Sequence, residues 1–187
     1  EATETALKMA RQYHRERGQA SKYKVIARWH SYHGNTLGAL SMSGIVSRRA
    51  PFVPLLIDLP HIAACNCYHC PFGRSYPGCG LPCAHELEAA ILREGADSIA
   101  AFIAEPVVGA AGGGLTAPPE YFGIIRDICT RHDILLIVDE VISGFGRTGE
   151  WFAVDHWGVV PDLMTLAKGL TSAYAPLGAV AMKPEIA

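Results

Sequence analysis

Two apolar runs that each end on a charged residue constrain this chain most. Ile134-Leu135-Leu136-Ile137-Val138 stops at Asp139-Glu140-Val141, and Asp162-Leu163-Met164-Thr165-Leu166-Ala167 stops at Lys168-Gly169. Runs of this length without polar alternation read as strands buried on both faces, the habit of parallel sheets. The neighbouring segments agree. Ser98–Ala104 is a third buried run, ending at Glu105-Pro106, and Lys24–Trp29 is a fourth, entering His30-Ser31-Tyr32-His33-Gly34. Proline cannot continue a ladder, so the third run ends there.

Helical segments alternate with the strands. Residues 1–17 place Ala2, Ala6, Leu7, Ala10 and Tyr13 on one face, with acids first, bases last and Gly18 as the stop. Asn35 is expected to cap a short helix through Met42, and Leu55–Leu59 to form a short strand. His85–Glu94 reads as a helix. Pro118 and Pro119 suit the first turn of another that ends at Arg131-His132. Val107–Thr116 reads as a glycine-rich loop, Trp151–Trp157 as a short aromatic helix and Gly178–Met182 as a last strand. The alternation predicts βαβ units and an α/β fold in one domain, incomplete at both ends.

Composition narrows the function. Half the 187 residues are apolar, and 16 basic against 18 acidic residues give a net charge of −2. There is no electrostatic footprint for nucleic acid or an anionic membrane. No run approaches the ~20 apolar residues that span a bilayer. Five of the six cysteines, Cys65, Cys67, Cys70, Cys79 and Cys83, fall in one window. An odd count with no secretion signal argues for reduced thiols and a cytoplasmic location. Zinc or an iron–sulfur cluster could use such residues with His61, His69 and His85, but the spacings are irregular. Pro71, Gly73, Pro77, Gly78, Gly80 and Pro82 describe instead a compact loop that packs thiols or forms an occasional disulfide; no metal site is assigned.

In an open parallel sheet, ligands bind beyond the carboxyl ends of the strands. Right-handed crossovers bring those ends to one edge. Tyr32-His33, Glu105, Asp139 and Lys168 are therefore expected in one crevice. Pyridoxal phosphate requires a lysine for a Schiff base and a carboxylate beside the ring nitrogen. A lysine partly buried beside apolar residues is a usable amine nucleophile, and Tyr32 could stack on the ring. Gly144-Phe145-Gly146-Arg147-Thr148-Gly149 matches a dinucleotide fingerprint, but no long helix follows it and Asp162 begins the next strand rather than ending it. Asp139 and Glu140 are adjacent on a strand and point to opposite faces, so they cannot flank one bond.

Tyr32-His33-Gly34, Glu105-Pro106, Asp139-Glu140-Val141, Gly144–Gly149 and Ala167-Lys168-Gly169 occur in the order seen in class III aminotransferases, and the chain resembles that family along nearly its whole length. The resemblance implies an aspartate-aminotransferase-like (fold type I) large domain, a mostly parallel sheet with helices on both faces. By that resemblance, residues 1–187 are a partial pyridoxal-phosphate-binding large domain, with the phosphate cup and small domain expected outside them. It implies pyridoxal 5'-phosphate held by Lys168 and Asp139, with Tyr32 and Val141 on the two ring faces and His33 and Glu105 lining the site behind. It makes Gly144–Gly149 a structural turn. It further implies a homodimer that moves an amino group from an ω-amino acid or amine to a keto acid such as pyruvate. Ala110 and Ile142 stand where family members of the ornithine and 4-aminobutyrate kind carry glutamate and glutamine. With Cys65–Cys83, they are similar to the ω-amino acid–pyruvate enzymes, including those using taurine or β-alanine. Decarboxylase, racemase, aminomutase or phospho-lyase chemistry on the same scaffold is the alternative, and a metal-binding module built on Cys65–Cys83 is a rival of another class.

Overall fold

The structure, a computed structural model, describes residues 1–187. Its elements in chain order are α1 (Ala2–Glu16), β1 (Lys24–Arg28), α2 (Leu37–Met42), α3 (Val46–Arg49), β2 (His61–Ile62), α4 (Pro82–Glu94), β3 (Ile99–Ala104), β4 (Val107–Val108), β5 (Leu115–Thr116), α5 (Tyr121–Arg131), β6 (Leu135–Asp139), β7 (Leu163–Leu166) and β8 (Ala179–Met182). Six strands form one sheet in the order β2-β1-β3-β6-β7-β8. All neighbours are parallel except β7 and β8.

Alternation along the strands makes two cores. Ile26, Phe102, Leu136 and Val138 face α4 and α5, where Leu87, Ile91, Phe122 and Ile125 meet them. Val25, Ala27, Ala101, Ile103, Leu135 and Ile137 face the other way, onto Ala6 and Ala10 of α1 and Met42 of α2. Because both faces are covered, every residue of β3 and β6 is buried. This explains why those segments read as unbroken apolar runs. Each fully buried Phe or Ile on them contributes about 1.5–3 kcal/mol of transfer free energy.

Several local expectations are corrected. Leu55–Leu59 is not a strand: Ala50–Leu55 is a 3-10 helix, Leu55 and Ile57 are exposed, and the paired strand is His61–Ile62. The cap of α2 is Thr36 rather than Asn35, with no bond from its own side chain to the helix. The carboxylate of Glu4 in α1 accepts from the amides of Gly38 and Ala39 instead. Pro118 and Pro119 precede α5, whose cap is Glu120. The glycine-rich segment 107–116 is a small antiparallel hairpin of β4 and β5. The aromatic piece is a 3-10 helix, Ala153–Trp157.

The chain leaves β1 for β2 on one side and then returns to β3 on the other. The winding direction thus reverses between β1 and β3, where a crevice opens at the carboxyl ends of the strands.

Candidate active site

The loop after β1 is built to hold its backbone still. Ser31 Oγ donates to the Arg28 carbonyl at 2.6 Å, and the His33 amide donates to Ser43 Oγ at 2.9 Å. Thr3 Oγ1 donates to the His33 carbonyl at 2.7 Å. Glu105, just past β3, is clasped from two sides. Its Oε1 accepts from the Tyr32 amide at 2.9 Å, and Arg28 Nη2 donates to its carbonyl at 2.6 Å and lies 3.4 Å from Oε2. Arg28 is buried and also lies over the Tyr121 ring, so the guanidinium has charged and π partners in place of water.

His33 joins this pair to the end of β6. Its Nδ1 is 2.7 Å from Asp139 Oδ2, and its Nε2 is 3.9 Å from Glu105 Oε2 with no hydrogen-bond partner. Burial opposes the imidazolium, but the carboxylates of Glu105 and Asp139 outweigh burial and the nearby Arg28 charge, raising the pKa above its ordinary 6.5. Asp139 Oδ1 accepts the Val141 amide at 3.1 Å. Glu140 turns the other way. Its Oε1 accepts from the Val154 amide at 2.8 Å and its Oε2 from Ser143 Oγ at 2.5 Å, and burial raises its pKa. One step along the strand separates a cleft carboxylate from one that holds the following turn together.

Tyr32, His33, Glu105, Asp139, Val141 and Lys168 all line one cleft of about 690 Å³. The expected convergence of strand ends is therefore present in the geometry. Lys168 differs from expectation in one respect: it is exposed at the cleft rather than partly buried. It sits at φ 44, in the left-handed region, as the first residue of a 3-10 turn after β7. The Gly144–Gly149 segment is a turn closed by the Phe145 amide donating to the Trp151 carbonyl at 2.7 Å; the next helical piece has only five residues.

Sequence reasoning passed over Arg28, Thr3 and Ser43, which fix the loop after β1. It also passed over the segment Ala173–Gly178, which closes one side of the cleft. A charge ending β1 was the one available signal, and Arg28 in that position resembles any strand-terminal surface residue. The five thiols of the loop 60–83, and Cys129 in α5, are free; Cys65 and Cys83 are buried, and no three ligand-type side chains gather in a metal-holding geometry.

The fold of this chain is shared with solved transaminases. An amine transaminase from an uncultivated Pseudomonas species superposes with a TM-score of 0.94 at 40% identity, over 99% of this chain and 42% of that one. An (S)-enantioselective ω-transaminase from Thermomicrobium roseum gives 0.91 at 42%, over 99% and 41%. The fold is therefore that of the fold type I transaminases. The family model described as aminotransferase class-III matches residues 1–187, and the chain belongs to that family. Aminotransferase YhxA of Bacillus subtilis is 48% identical over 187 residues, 100% of this chain and 40% of the relative. The putrescine–pyruvate aminotransferase of Pseudomonas aeruginosa is 44% identical over 186 residues, 100% and 41% respectively. The chain thus spans about 40% of the length of the relatives it matches.

Proposed function

We propose that these 187 residues are part of the pyridoxal-phosphate-binding large domain of a transaminase. The whole protein would move an amino group from an ω-amino acid or amine, of the taurine or β-alanine kind, to a keto acid such as pyruvate. The observation that carries this reading is the shared cleft of Lys168, Asp139 and His33 in a chain of this family. The residues fit the cofactor: the cleft has an aromatic wall, one lysine, a carboxylate already oriented by two donors, and a buried imidazole nitrogen without a partner.

When bound, pyridoxal phosphate supplies the electron sink that lets a bond at an amine-bearing carbon break. Lys168 would hold it through its amine, and Asp139 would keep its ring nitrogen protonated. His33 and the Val141 amide fix the Asp139 carboxylate, so that its charge does not have to reorient during reaction. Tyr32 and Val141 would bound the two faces of the ring. Lys168 is the only lysine lining the cleft and is the group to take and return a proton at the reacting carbon. Ala110 and Ile142 give the cleft apolar lining where a carboxylate or amide could otherwise engage a charged substrate group.

A homodimer in the cytoplasm is the proposed setting, and no helix is long and apolar enough to cross a membrane. Borohydride reduction of the full-length protein followed by peptide mapping tests the central assignment: the label is expected on Lys168, and a label elsewhere overturns it. Keto-acid-dependent amino transfer is the expected activity. Release of carbon dioxide or phosphate in its place would replace the transaminase reading with another chemistry on the same scaffold.

A further inference from the structure

The loop between β2 and α4 gathers thiols that the chemistry above does not use. Cys65 lies just past β2, and Cys83 is the second residue of α4. Both are buried in the core cluster that contains Ile62, Leu87 and Tyr121, and their sulfurs are 3.8 Å apart. Cys83, but not Cys65, also borders a cavity of about 10 Å³ shared with Cys67, Cys70 and Cys79. That is room for about one water-sized molecule. Cys67 is exposed and Cys70 and Cys79 are half-buried, so the cavity lies on the solvent side of the pair.

We propose that Cys65 and Cys83 form an oxidisable dithiol whose reactant is a small peroxide, closing reversibly to a disulfide that ties the start of the loop to the first turn of α4.

The two sulfurs have unequal roles. The adjacent Cys65 thiol, and then the amides of Cys83 and Ala84 in the first turn of α4, bring the Cys83 thiol down to about 7 against the opposing effect of burial. The same contact and burial raise Cys65, which keeps its proton. Cys83 borders the cavity and stands in the first turn of α4, whereas Cys65 does neither, so Cys83 is the sulfur that attacks. Its thiolate takes one peroxide oxygen to become a sulfenic acid; the displaced hydroxide gains a proton and leaves as water. The Cys65 sulfur then attacks the sulfenic sulfur, and its proton leaves with the departing hydroxide as a second water. Two thiols lose two hydrogens and the peroxide is reduced to two waters. A dithiol reductant restores the pair by exchange. The sulfurs must approach from 3.8 Å to the covalent distance of about 2.0 Å, and Cys65 is carried by a loop rather than a strand or helix.

The pair meets the cleft through Arg28. Its guanidinium lies over the ring of Tyr121, which shares a core cluster with both cysteines, and holds Glu105 at the cleft.

The test uses reduced full-length protein, given a small molar excess of hydrogen peroxide, alkylated and mapped under non-reducing conditions with fragmentation. The expected main product is a cross-link between Cys65 and Cys83 that dithiothreitol removes. In Cys65→Ser, dimedone should label Cys83; in Cys83→Ser, neither cross-link nor dimedone adduct should form at Cys65. The wild-type map needs no substitution, so a variant that misfolds does not affect the result. A cross-link confined to Cys67, Cys70 or Cys79 overturns the proposal. So does a Cys83 that stays alkylatable throughout, or thiols held unreactive by about one bound metal per chain.

Discussion

Replacing His33 by alanine tests the claim that an imidazolium bridges Asp139 and Glu105. The ring is fully buried, with Nδ1 at 2.7 Å from one carboxylate and Nε2 at 3.9 Å from the other. At about 4 Å a unit-charge pair attracts by about 4 kcal/mol at an effective dielectric near 20, and burial offsets much of that. Removing one partner of a buried charge pair costs about 3–5 kcal/mol, because the remaining charges lose their compensation. The sign with pH is fixed by the raised pKa. Below 6.5, the ordinary value, folded and unfolded chains both hold the proton and the contribution is whole. Above it only the folded chain does, so the contribution falls as pH rises through the folded value, by at most about 1.4 kcal/mol per pH unit. At high pH the neutral ring still donates to Asp139 and fills its space, leaving a difference of about 2 kcal/mol. The assay is the urea midpoint of full-length apoprotein, wild type against His33→Ala, at about pH 6 and about pH 9. Using apoprotein removes the stabilisation that a ligand would add by mass action. A stability difference that is flat or grows with pH refutes the bridge.

Four further substitutions have expected outcomes. Asp139→Asn in the full-length enzyme should lower kcat by about 10²-fold or more while Lys168 is still labelled by borohydride, because a fixed charge is lost without the attachment point. Asp162 accepts from Arg126 Nη1 at 2.7 Å, Lys183 Nζ at 2.8 Å and the Leu136 amide at 2.7 Å. Asp162→Ala should cost about 3–5 kcal/mol in denaturant. Although burial works against it, those donors lower the Asp162 pKa below 3.8, so its contribution is present above 3.8 and is lost as acid takes the pH through the lower folded value. Gly44→Ala would put a Cβ 2.2 Å from the Arg28 carbonyl oxygen and 2.5 Å from Trp29 Cα. It should destabilise by about 1–3 kcal/mol or more, whereas Gly123→Ala, inside α5 with open space around it, should stabilise by about 0.4–1 kcal/mol.

The parts of this fold legible in the sequence are those fixed by local pattern. β3 and β6 are buried on both faces, so no choice of register could hide them, and Asp139 and Lys168 stand out because each ends an apolar run. The misread parts depend on distant groups. The start of α2 is bonded by Glu4 of α1, more than thirty residues away, which no cap rule applied to Asn35-Thr36 can find. Leu55-Leu56-Ile57 has strand composition, but whether it is a strand depends on what pairs with it and covers it; Leu55 is 63% and Ile57 50% exposed among these residues, and the strand beside β1 is His61–Ile62. Arg28 illustrates the opposite error. A terminal arginine is ordinarily solvated, and only the convergence of β1, β3 and α5 makes it the clasp for Glu105.

The turn Gly144–Gly149 acquires a physical task from the geometry of Lys168. A non-glycine residue at φ 44 carries about 1 kcal/mol or more of strain and persists only where its surroundings fix it. Phe145, itself left-handed at φ 63, supplies part of that surround: a Cβ added to Gly169 would lie 3.1 Å from the Phe145 side chain. A side chain after Lys168 would press on the turn's aromatic ring, which lies against Gly169. Phe145 is held in turn by its amide bond to the Trp151 carbonyl and by the edge of Phe152. Behind them Glu140 ties Ser143 to Val154. The two carboxylates ending β6 thus divide their work across the sheet. Asp139 stands in the cleft with His33, while Glu140 braces the turn whose Phe145 backs the lysine. The resemblance of this turn to a nucleotide cradle is one of spacing alone: Gly146 and Gly149 take the positive φ the turn needs, Gly144 lies where a Cβ would sit 2.9 Å from the Glu140 carbonyl oxygen, and it is Phe145 that packs behind Lys168.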